Sequence, residues 1–212
     1  MSNMMKNSIS NVMTYLKDIT ELQIAYDEKK RQAVNDYRGR MLEDALSSAE
    51  AETKTAVDRV VAKMQASLDS LMRETVAANG YDVTSSAVAD AAKLLSAPDV
   101  NFRTAEAVIK PFIGNQTALN LISANAKSDE VKAAVDVWLF DNTGLIADLK
   151  KKANSMSWEP VENYPTVISD IRTGLQKYAR LMGVDISDIE ATISELKIKN
   201  IMHMMGISPD QL

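Results

Sequence analysis

The chain has no cysteine, and in 212 residues it has one histidine, His203. The first absence excludes a disulfide framework, a thiolate nucleophile and a thiolate metal site. The second leaves one candidate base for a Ser-His-Asp device, and it sits in an apolar setting near the chain end, "MHMM" at 202–205. A di-iron helical bundle needs Glu-x-x-His pairs, but Asn200 stands three residues before His203. There is no Gly-rich phosphate loop and no His-Glu-x-x-His motif. "DNTG" at 141–144 lacks the alternating ligands and downstream Glu of a calcium loop. Together these absences predict a protein that is not an enzyme and carries no cofactor and no metal site.

Glycine and proline are also scarce, at 7 and 5, and their placement leaves long uninterrupted stretches that favour helix. Aromatics make up 5% while methionine reaches 12, so Ala, Val, Leu, Ile and adaptable Met must fill the core. No strand pattern of useful length and no internal repeat stand out. No apolar run approaches the ~20 residues of a membrane span, and the opening "MSNMMKNSISN" has no signal-peptide core. An intracellular protein is expected. The net charge of -5 argues against a membrane surface and against direct binding to nucleic acid, since both need a positive face. The one basic run, "LKKK" at 149–152, reads as cations offsetting the dipole at a helix C-terminus.

What is present is helical periodicity. From Ser8 to Ala78 there is no proline and one glycine, Gly39. Ile9, Val12, Leu16, Ile19 and Tyr26, with Gln23 filling the gap between the last two, alternate steps of three and four, and the apolar positions Val57, Val61, Met64, Leu68 and Leu71 resume a similar spacing. Between these runs, residues 47–56 offer mainly Ala, Ser and charges, so the middle packs weakly or lies in solvent. Gly39 allows two shapes. A continuous helix of about 70 residues would be a rod of roughly 105 Å. A fold-back would make an antiparallel, coiled-coil-like hairpin. A single interior Gly costs only about 1 kcal/mol against Ala, and Arg38 and Arg40 are good helix formers, so the spacing favours the rod. A rod must cover its stripe with another chain, which predicts a homo-oligomer whose interface comprises those ten residues.

After this long helix or hairpin (1–79), the fold class expected is all-α with a compact multi-helix module. A small helical module is expected over 80–154, opened by Thr84 or Ser85 as N-cap, with Ser128 capping a later helix. Its core positions are Val108, Ile109, Phe112, Leu119, Ile122, Val131, Val135, Trp138 and Leu139. Residues 155–165, "SMSWEPVENYP", form a linker, and a C-terminal helix pair fills 166–212, its first helix stopped by Gly183. Ser187 with Glu190 suggests a capping box for the last helix. Consecutive residues on a helix lie about 100° apart, so Met202, His203 and Met205 do not converge on one ion. Ile198, Ile201, Met202, Met204 and Met205 instead make that helix apolar nearly all round, which asks for burial in its own module or against a partner. Trp158 and Tyr164 either clamp the linker to its own domain or anchor it onto a partner, so the candidate docking residues are these two with Ile201, Met202, Met204 and Met205.

Residues 94–122, "LLSAPDVNFRTAEAVIKPFIGNQTALNLI", close a helix on a leucine pair, bridge to Thr104-Ala105-Glu106 and break at Gly114-Asn115 before another amphipathic helix. This segment of about thirty residues resembles part of the small helical scaffolding or minor head proteins encoded beside capsid genes in tailed phages of Gram-positive hosts. The resemblance implies a non-enzymatic, phage-encoded protein of virion assembly. Its partners would be itself and a structural protein such as a capsid protein, in the host cytoplasm or the virion. A competing expectation is a phage protein that inhibits a host defence or nuclease complex by binding it. That role asks for a contiguous acidic face, whereas "YDEKKRQ" and "VDRVVAK" mix signs at short spacing.

Overall fold

The computed structural model describes residues 2–79 and 85–189, and among these it is all-helical, with no strand. The chain turns back near Gly39. Helix α1 (Ser2–Asp36) and helix α2 (Arg40–Asn79) form an antiparallel hairpin. Its register is marked by Ser8 hydrogen-bonding Glu74 and Lys29 pairing with Glu52. The favoured rod is thus corrected. Gly39 sits at φ +56°, the left-handed region that a side chain strains, and its carbonyl accepts the first amides of α2, from Leu42 and Glu43. Arg38 helps end α1 by donating to the carbonyls of Val34 and Tyr37, each at 2.6 Å. Nothing lies within 4 Å of where a Gly39 Cβ would stand, so Gly39→Ala should cost backbone strain alone. We expect a loss of about 1 kcal/mol in urea unfolding with the helical content unchanged.

Two further helices complete a four-helix core. Helix α7 (Asn142–Ser155) runs antiparallel to α2, with Lys150 paired to Asp69 and Gln65 donating to the Lys150 carbonyl and to Asn154. Helix α8 (Tyr164–Leu181) returns alongside α1, and Lys152 on α7 reaches Asp170 on α8 at 2.6 Å. The "LKKK" lysines therefore sit where a helix ends, as expected, and two of them also bridge neighbouring helices. One continuous core joins Ile9, Leu16, Ile19, Met64, Leu68 and Leu71 to Ile146, Leu149, Ile171 and Leu175. The linker expected at 155–165 is part of this core rather than a tether. Met156, Val161 and Tyr164 are buried, and a short 3-10 turn at Val161–Asn163 delivers Pro165 to the first turn of α8.

The second unit is smaller than expected, because α7 belongs to the four-helix core. It consists of α3 (Ser86–Leu95), α4 (Phe102–Ile109), α5 (Gln116–Asn125) and α6 (Asp129–Asp136). Leu95, Ile109, Leu119, Ile122, Val131 and Val135 form its core, with Val108, Phe112, Trp138 and Leu139 partly buried against them. Side-chain caps set the helix starts: Asn101 accepts from Thr104, Asn115 from Ala118, Ser128 from Glu130 and Asp141 from Gly144. Ser85 occupies the N-cap of α3 in an extended conformation, as expected, but its hydroxyl makes no cap bond. A polar junction fastens the two units. The Gln116 amide at the start of α5 donates to the Asn79 side chain at the end of α2, at 3.4 Å; Asn79 in turn exchanges hydrogen bonds with buried Asn142 at 3.0 and 2.9 Å, and the Gln116 side chain donates to the Trp138 carbonyl and accepts from the Phe140 amide.

Candidate docking surfaces

The ten positions expected at an oligomer interface, Ile9, Val12, Leu16, Ile19, Tyr26, Val57, Val61, Met64, Leu68 and Leu71, are all buried within one chain. That is a correction with a plain cause. Folding at Gly39 lays the first run against the second, and α7 and α8 cover what remains. Tyr164 is likewise corrected as a docking residue, since it is fully buried and its hydroxyl has no hydrogen-bond partner among the described residues. Trp158 is 67% exposed and remains available to a partner. Ile201, Met202, Met204 and Met205 lie outside the described residues, as do His203 and the Ser187–Glu190 box through Glu190. Within the described chain it is the Asp185 carboxylate that accepts from the Ser187 amide, at 3.0 Å.

Two surfaces stand out that periodicity alone did not single out. The first is the free end of the hairpin. A cluster of Tyr26, Lys30 and Glu162 marks where the core stops: Lys30 meets Glu162 at 2.9 Å and its ammonium stands 5.8 Å from the Tyr26 ring centre. The hydrogen bond from Lys30 holds the Glu162 carboxyl below its usual range, and burial followed by the Glu162 charge pushes the Tyr26 phenol up. Beyond this clamp α1 runs six more residues to Asp36, roughly 9 Å. Between Arg31 and Ser48 only Ala33 is buried. Val34, Tyr37 and Met41 are 48, 40 and 65% exposed at this end, among Arg31, Arg38 and Arg40. A hairpin this thinly packed is marginal by itself, since most helix stability comes from burying an apolar face. The small and charged residues of 47–56, expected to pack weakly, adjoin this arm, but Ala49 and Thr53 among them are buried.

The second surface lies at the opposite end of the hairpin. There an apolar groove of about 510 Å³ opens between the start of α1, the end of α2, α3, the turn after α4 and the end of α8. Met5, Val88, Phe112, Ile113, Met182 and Val184 line it, with no charged side chain among the described residues of its walls. Gly114, at φ +89°, lets its backbone close against Met182, whose Cε would stand 3.2 Å from an added Cβ.

Among the described residues no three His, Cys, Asp or Glu side chains converge as metal ligands. The carboxyls with resolved shifts, at Glu52, Asp141, Glu162, Asp185 and Asp188, are all lowered, in the direction of stable ion pairs and caps. A general acid would need the opposite shift. Among the described residues no helix is long and apolar enough to cross a membrane.

These features define an all-α protein with a four-helix core, an appended four-helix unit and a thinly packed hairpin arm. No protein-family profile, curated protein sequence or solved structure matches the chain.

Proposed function

We propose that this is a non-enzymatic, phage-encoded assembly protein that docks onto a structural protein such as a capsid protein through the free end of its hairpin. The observation that carries the reading is the arm between Arg31 and Ser48, which exposes Val34, Tyr37 and Met41 while burying one alanine. Apolar and aromatic side chains beside arginines are what protein interfaces enrich. The resemblance of residues 94–122 to phage head proteins supports the choice of partner. Self-association through the long apolar stripe loses its basis, because that stripe is internal. The purified chain is expected to run as a 23.3 kDa monomer in light scattering at micromolar concentration.

The competing inhibitor reading asks for one acidic face. Lys29–Glu52, Lys30–Glu162, Lys54–Glu50, Lys150–Asp69 and Lys152–Asp170 instead set ammonium groups against carboxylates along the bundle, which favours the assembly reading. The test is co-purification with the capsid protein encoded beside it, for the native chain and for a Tyr37→Glu, Met41→Glu double variant. Both sites face solvent, so circular dichroism should be unchanged while binding falls by at least about tenfold. Undiminished binding by the double variant, or no capsid or portal gene nearby, would sink the proposal.

A further inference from the structure

We infer that the apolar groove at the base of the hairpin is a docking site for the chain's own C-terminal segment, residues 190–212. The described chain ends beside it. Val184 forms part of the wall, Ile186 and Ile189 are buried in the main core, and Asp188 pairs with Lys6 at 2.9 Å, next to the groove residue Met5. That ion pair holds the exit of the chain at the groove's edge, with 23 residues still to place.

The chemistry on the two sides agrees. Among the described residues the groove wall carries no ammonium, guanidinium or carboxylate, and its polar side chains are those of Ser85 and Asn115, the latter engaged in capping α5. Residues 200–208, "NIMHMMGIS", likewise carry no carboxylate, lysine or arginine, and they concentrate Ile201, Met202, Met204, Met205 and Ile207. Methionine is unbranched and adapts to irregular cavities. The opposite side of 184–187 offers a polar alternative, a depression walled by Gln176, Lys177, Arg180 and Asp185, which would leave those side chains facing thioethers. Tethering adds to the preference, since a short link gives a docking segment a millimolar effective concentration that a free partner does not match. This inference is independent of the partner reading above, which uses the other end of the hairpin.

The absence of native cysteine makes the test direct in the full-length protein. Val88→Cys paired with Met204→Cys places one thiol in the groove and one on the segment. Gln176→Cys paired with Met204→Cys is the control on the polar side. Under mild oxidation the groove pair should close an intrachain disulfide faster than the control pair by on the order of tenfold or more, within the range that effective concentration allows. Equal rates for the two pairs would overturn the inference. So would disulfide-linked dimers as the main product, which would assign the groove to a second copy. Circular dichroism of the reduced variants guards against misfolding. Met202→Cys in place of Met204→Cys repeats the test with a second position on the segment.

Discussion

Leu68→Ala should lower the unfolding free energy by about 3 to 5 kcal/mol, while Leu46→Ala should cost about 1 kcal/mol or less. Both leucines lie on α2, and both substitutions trade the same side chains in the same helix, so intrinsic helix propensity cancels in the comparison. What differs is the surroundings. Leu68 has no exposed surface and belongs to the core that α2 shares with α1, α7 and α8, so truncation leaves a cavity that the packed helices around it hold open. Leu46 lies on the arm, half-buried beside one other helix, where the gap opens to water. Urea unfolding followed by far-ultraviolet circular dichroism measures both. Equal costs would mean that the arm is packed against something in solution. The self-association set aside above would then regain its basis.

Alkaline unfolding is the second large effect. Burial pushes the phenols of Tyr164 and Tyr178 up to about 12, against about 10 in an unfolded chain. Below pH ~10 both hydroxyls are protonated whether the chain is folded or not, and they add no pH dependence. Between about 10 and 12 the unfolded chain releases these protons and the folded chain keeps them, so stability falls as pH rises. Two such groups in one core add their slopes. The tyrosinate absorbance of this pair should therefore develop together with loss of the helical signal, and not ahead of it.

The two tyrosines differ in a way that mutation separates. Tyr178 lies 2.5 Å from the Thr75 hydroxyl, which donates its own proton to the Leu71 carbonyl and is left to accept from the phenol. Tyr178→Phe removes that bond inside the core and should cost about 1 kcal/mol at neutral pH. Tyr164 buries a hydroxyl with no partner, so Tyr164→Phe removes an unsatisfied group and should be neutral or stabilising by about 1 kcal/mol. Each variant should lose its own share of the alkaline slope. A Tyr164→Phe protein clearly less stable than the native one would contradict the burial of an orphan hydroxyl.

Much of the secondary structure was legible because its causes are local. Proline, glycine and capping side chains act within one turn of chain. Thus Ser128, Pro165 and Gly183 marked helix boundaries correctly, and the stripe from Ile9 to Leu71 identified residues that are indeed buried. The same local reasoning erred at Gly39. A glycine's preference between continuing a helix and turning it is worth about 1 kcal/mol, far less than the burial gained when two stripes close on each other. The decision was therefore made by residues well outside the turn, from Tyr26 and Val57 out to Ile9 and Leu71. Tyr164 stayed open between a partner and its own domain for a related reason. An aromatic beside prolines looks like a surface clamp until the return of α8 along α1 encloses it.

The sequence by itself determined the class: all-helical, free of thiol chemistry, with a long apolar stripe that has to be covered. Only the tertiary structure decided what covers it. Helices α7 and α8 are too short to span the hairpin, about 21 and 27 Å of helix against about 60 Å for α2, so they seal its base and leave its far end bare. Apolar spacing records that a face must be buried, and it is silent on the partner, because the hydrophobic effect has no direction and any apolar surface satisfies it.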